Sequence, residues 1–177
     1  MLSTDAIDIQ LIDLGLLIIR VVFGLIFAAH GAQKLFGWFG GYGIAGTAGW
    51  LESTGYRPGK LFATVLGLTE FTAGLLLALG LLGPVGPALM IAVMIVAMVT
   101  VHWKNAFFVG TNGIEHPLMF TAAAIGLALI GPGRYSLDYA LNLQRWETPG
   151  ITWIVLAIGA LGGLLNLAVR RPVPKPA

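Results

Sequence analysis

Five stretches of this chain are too apolar, over too great a length, to face water. They run from Leu11 to Phe36, Leu61 to Leu82, Ala88 to Trp103, Pro117 to Ile130 and Ile151 to Val169. A helix needs about 20 apolar residues to cross the hydrocarbon of a bilayer. In that medium only helices and closed barrels satisfy every backbone polar group. Each run is near that length, although the third and fourth must borrow flanking residues. Only 10% of the residues are charged, against about 25% in an average soluble domain. Much of the surface therefore has to face lipid. The pattern predicts an all-α, multi-pass membrane protein with five spans; four spans and a peripheral helix is the alternative.

Glycine and proline punctuate the runs. Gly83-Pro84-Val85-Gly86-Pro87 reads as a tight turn, because Pro cannot continue the hydrogen-bond ladder. Residues 37–59 are rich in Gly and aromatics (Trp38, Phe39, Tyr42, Trp50, Tyr56), which suggests a loop and a short helix at the headgroup level. Residues 131–150, with Tyr135, Tyr139 and Trp146, read the same way. The Pro-rich basic tail from Arg170 to Pro176 is expected to be disordered. The N-terminus does not resemble a signal peptide: it is acidic, and Arg20 interrupts its apolar run.

Composition also removes several functions. The chain has no cysteine, which excludes disulfides, Fe–S clusters and thiolate metal sites. A net charge of +2 without a basic stripe makes nucleic acid an unexpected partner. Outside the spans, Lys34, Arg57, Lys60, Lys104, Arg170, Arg171 and Lys175 fall on one side, and only Arg134 and Arg145 on the other. The positive-inside rule makes the richer side cytoplasmic. The N-terminus is then outside and the C-terminus inside.

Charges inside the runs carry the most information. Arg20 and Glu70 each lie near the middle of their run. A charge at that depth costs at least about 2.5–3.5 kcal/mol on insertion scales, so an Arg20–Glu70 ion pair is expected. It could be purely structural. A second group gathers toward the cytoplasmic ends. His30 and Lys34, four residues apart, share a helix face. His102 closes the third run, and Glu115 and His116 precede the fourth. With Glu70 about two turns deeper, His30, Lys34, Glu70, His102 and Glu115 form a candidate ligand pocket. The plainer alternative is that they are interfacial, with the lysines snorkelling and Glu115 capping a helix. No spacing within one helix suggests a metal site, and no haem or flavin is predicted. A quinone headgroup fits better: its carbonyl oxygens need donors, and its reduction needs protons.

Several of these residues also match a known pattern. Arg20, the run His30-Gly31-Ala32-Gln33-Lys34-Leu35-Phe36-Gly37, Phe39-Gly40-Gly41, Glu70, His102, Gly113, Glu115 and Gly131-Pro132-Gly133-Arg134-Tyr135-Ser136-Leu137-Asp138 together resemble the DoxX family of prokaryotic membrane proteins. The likeness covers about residues 12–140. It implies a four-helix transmembrane bundle over residues 1–140. Residues 141–177 would add a linker, an extra transmembrane helix and the tail. The resemblance further implies a multi-pass protein of the prokaryotic plasma (inner) membrane, acting as a quinone-interacting subunit of a membrane redox complex. Its partner would be another redox protein or a second copy, since no redox centre of its own is visible. Distant relatives of that family include chaperones and cargo receptors, so a non-catalytic assembly or scaffold role is the alternative.

Overall fold

A computed structural model describes residues 4–172, all of whose regular elements are helices. Five long helices run between two ends of one bundle: α1 (Thr4–Phe36), α3 (Gly59–Leu79), α4 (Val85–Ala97), α5 (Glu115–Ile130) and α7 (Pro149–Ala168). Two short helices sit at the ends, α2 (Gly43–Ser53) and the single turn α6 (Leu137–Ala140). A π-helical turn, Met98–His102, extends α4.

Four helices have the length and hydropathy to cross a membrane: Ile9–Phe36, Gly59–Leu79, Val85–His102 and Pro149–Ala168. α5 has 16 residues, about 24 Å, which is short of the roughly 30 Å hydrocarbon core. It is not peripheral, however, because Phe120, Ala124, Leu127 and Ala128 are buried in the main core with Phe27, Met90 and Met94. The outward faces carry exposed Ile18, Val22 and Leu25 on α1, and Ile154, Ile158 and Leu161 on α7. Such surfaces suit lipid and not water.

The turn between α3 and α4 lies three residues earlier than the Gly/Pro run suggests. α3 ends at Leu79, and Gly86 and Pro87 already lie in the first turn of α4. Pro is tolerated there because the first amides of a helix have no intrahelical acceptor.

Small residues set how the helices meet. Gly24 of α1 lies on the backbone of Gly74 and Ala78, and Gly31 lies on that of Gly67 and Phe71. These contacts fix the antiparallel register, with Arg20 level with Gly80 and Glu70 level with His30. Arg20 and Glu70 are thus ten residues apart in depth, about 15 Å along the helix. The expected Arg20–Glu70 ion pair does not form. α1 overhangs the far end of α3, so the midpoints of the two runs do not coincide. Arg20 instead donates to the carbonyls of Pro132 and Tyr135.

α7 docks on α4 in the same manner. A Cβ on Gly159 or Gly163 would strike the backbone of Ala88 or Ala92, whereas one on Gly162 would meet nothing within 4 Å. Two of the three glycines therefore carry the close approach. Gly159→Leu is expected to destabilise the fold by about 1–3 kcal/mol or more through overpacking. Gly162→Leu should fold like the parent. Melting temperature and elution volume in detergent separate the two outcomes.

The chain after α7 departs from expectation. Arg170 donates from Nε to the Thr54 carbonyl at 2.5 Å, and the Arg171 amide donates to Gly55 at 2.9 Å. The tail is therefore tied at its first two residues to the turn that ends α2, whose carbonyls at Thr54 and Gly55 serve as acceptors. The rest of the expected tail, residues 173–176, lies outside the described residues. Lys34, Arg57, Lys60, Lys104, Arg170 and Arg171 gather at the end of the bundle where α3 begins, and Arg134 and Arg145 at the other. Lys175 lies outside the described residues.

Candidate functional site: a polar cavity at one end of the bundle

The last turns of α1 carry His30 and Lys34 on one face, and the middle of α3 carries Glu70 opposite them. Lys34 Nζ reaches Glu70 Oε2 at 2.6 Å, with side-chain exposures of 21% and 5%. The same ammonium lies 3.4 Å from the His30 carbonyl. Lys34 therefore holds the place assigned above to Arg20.

This ion pair lines a cavity of about 330 Å³ that His30, His102 and His116 also face. The His30 and His116 rings pack edge to face with centroids 5.8 Å apart. The π-helical turn at the end of α4 presents His102, whose Nδ1 lies 2.8 Å from the Asn112 carbonyl. Such turns insert one extra residue into a helix and are frequent at functional sites. The remaining walls are mostly apolar, among them Phe27, Leu66, Val93 and Met94, with Thr100 and Asn112 adding polar groups. Among the described residues no three His, Asp or Glu side chains stand close enough to hold a metal ion.

Four of the five candidate pocket residues thus share one cavity, and the fifth does not. Glu115 is turned to the preceding loop, where Oε2 accepts from the Val109 amide at 2.7 Å. Adjacent helical positions point about 100° apart, so satisfying that amide with Glu115 swings His116 inward. Tyr56, grouped above with the aromatics of the headgroup level, is buried instead. It is 2% exposed and lines the same cavity. Burial pushes its phenol pKa up, slightly opposed by the Arg170 charge, so the hydroxyl remains a donor.

A second polar cluster holds the opposite end. Asp138 is 1% exposed, and its carboxylate accepts from the amides of Leu82 (2.9 Å) and Gly83 (2.6 Å). Its own amide donates to the Gly80 carbonyl at 3.0 Å. Asp13 accepts from the Arg134 amide at 3.0 Å, and its other oxygen lies 3.6 Å from Arg134 Nε. With Arg20 on Pro132 and Tyr135, every polar residue of the 131–138 run that the cluster uses is a fastener between helix ends.

Glu147 stands beside Asp138, and its Oε1 is buried without a partner. Burial first, and then the neighbouring Asp138 carboxylate, pushes the Glu147 pKa up to about 7. A proton shared between the two carboxyls accounts for both observations. The folded state then holds this proton more tightly than the unfolded chain, whose Glu titrates near 4.5. The associated stability is full below the unfolded pKa and is lost as pH rises through about 7. Between about pH 5 and about pH 8 the loss should be on the order of 1–2 kcal/mol, discounted for partial solvation. Glu147→Gln should flatten that pH dependence of the melting temperature.

Apolar helices packed around a buried polar cavity define a multi-pass helical membrane protein. The chain belongs to the DoxX family, whose model matches residues 15–103. The protein named "Inner membrane protein YqjF" of Escherichia coli (strain K12) is 28% identical over 137 residues, 77% of this chain and 98% of that one. The protein named "Putative oxidoreductase CatD" of Bacillus subtilis (strain 168) is 32% identical over 126 residues, 71% of this chain and 86% of that one. No solved structure matches this one.

Proposed function

We propose that this protein is a quinone-interacting subunit of a redox complex in a prokaryotic inner membrane, with the end of the bundle that carries Lys34 on the cytoplasmic side. The supporting observation is the cavity that gathers Lys34, Glu70 and three imidazoles among mostly apolar walls. Its volume suits a small planar ring. The name of the Bacillus relative points to redox chemistry in that protein, and the same chemistry here rests on the cavity.

A quinone, when bound, supplies a two-electron, two-proton acceptor. The chain's residues supply the donors and the protons. Lys34 Nζ and the ring N–H groups of His30 and His116 can donate hydrogen bonds to carbonyl oxygens. Glu70 holds the ammonium in place through the 2.6 Å contact. Each neutral imidazole carries one ring N–H and one bare ring nitrogen, so it can donate at one atom and accept at the other. His102 lies nearest the end of α4 and can pass protons between the cavity and the cytoplasmic surface. In this reading the electrons come from a partner protein that carries a redox cofactor.

Lipid extraction of the purified protein should yield quinone. His30→Ala should lower its occupancy about three- to tenfold, the weight of one hydrogen bond, and His102→Ala should slow quinone-coupled turnover, with the helical fold intact in both. If both variants keep full occupancy and redox coupling but lose binding to a partner protein, the assembly or scaffold role replaces this one.

A further inference from the structure

A second cavity of about 230 Å³ lies between α3, α4 and α7, with Val65, Leu89, Ala92, Gly162 and Asn166 in its walls. Leu51, Tyr56, Leu66, Val93 and Val96 line both spaces, so the two meet along one shared wall. Asn166 and Thr69 apart, the second cavity is walled by apolar side chains and by the glycines of α7.

Tyr56 stands at the junction. It is 2% exposed, its ring packs 5.1 Å from that of Phe62, and its hydroxyl has no hydrogen-bond partner. A buried hydroxyl without a partner is costly, and tyrosines buried this deeply usually satisfy theirs. A ligand oxygen at the junction would complete it.

From this geometry we infer that the two cavities form one cleft for a single-tailed amphiphile, with a carbonyl-bearing head beside Lys34 and the histidines, an alkyl or isoprenoid tail along α7, and Tyr56 Oη donating to the head where the two meet. The inference rests on the headgroup reading above and adds the tail and Tyr56. α7 becomes the element that selects for tail. Gly162 leaves the space open, since a Cβ there meets nothing within 4 Å, while Gly159 and Gly163 hold the helix against α4. Gly163 serves both, packing on Ala92 and lining the tail space, whereas Gly162 lines it without a packing contact.

Two probes test this in lipid nanodiscs: 2,3-dimethoxy-5-methyl-1,4-benzoquinone and the same ring carrying a decyl tail. Trp50 lines the first cavity, so quenching of tryptophan fluorescence reports binding. Gly162→Leu should weaken the decyl probe about tenfold by crowding the tail and leave the tailless ring unchanged. Tyr56→Phe should weaken both probes about three- to tenfold. Partitioning of the decyl probe into lipid is common to all variants and cancels in the comparison. Equal decyl affinity in Gly162→Leu and the parent, or unchanged affinities in Tyr56→Phe, would overturn the cleft and leave the head cavity standing. Failure of both probes to bind the parent would remove the head site, and the cleft with it.

Discussion

Lys34→Ala is expected to be among the most damaging single substitutions in this protein, at about 3–5 kcal/mol. It leaves the Glu70 carboxylate, 5% exposed, without its counter-charge in a membrane span. Glu70→Ala should cost less, because Lys34 is 21% exposed and its long side chain can swing toward the headgroups. The double variant Lys34→Met/Glu70→Leu should recover most of the loss, since apolar replacements of a buried pair are often neutral. Thermal unfolding of the four proteins in one detergent measures all of this. Single variants that melt with the parent would show that the 2.6 Å contact contributes nothing to stability. A stable double variant that no longer retains quinone would assign the pair to binding.

The second large effect is expected at the other end. Asp138→Ala removes two charge-assisted hydrogen bonds, each worth about 1.5–3 kcal/mol, and strands the amides of Leu82 and Gly83. Leu82 has φ +62°, a conformation a leucine adopts only where its surroundings hold it. A loss of about 3–4 kcal/mol follows, read as a lower melting temperature. Asp138→Asn should fall between this variant and the parent. Because Asp138 also helps hold the Glu147 proton, Asp138→Ala should shrink the pH dependence of melting as well. A variant with parental melting and unchanged pH dependence would count against both roles.

The apolar runs, their glycine and proline boundaries and the family pattern are written plainly in the chain, because each depends on composition or local spacing. Register is not. Whether Arg20 or Lys34 faces Glu70 depends on where α1 crosses α3, and that crossing is set by Gly24, Gly31, Gly67 and Gly74, whose contacts a single sequence does not reveal. The choice between Glu115 and His116 turns on a rotation of one residue. The loop amide of Val109 decides it, and nothing in the residue types announces that. Tyr56 reads as one interfacial aromatic among several until its burial is known. Asp138 and Glu147 are nine positions apart and become neighbours only through the turn at Leu143–Glu147, which is built from short local hydrogen bonds.

The glycine seam between α1 and α3 also constrains how a ligand enters. Where two backbones touch, there are no side chains to rotate aside, so separating them would open a gap that nothing nearby can fill. His30, Lys34 and Glu70 are therefore carried on a stationary wall. On the opposite side the π-helical turn bears His102, and the 106–114 loop is held by Asn105 and Glu115. The seam thus fixes one wall of the cavity by backbone contact, and His102 belongs to the wall across from it.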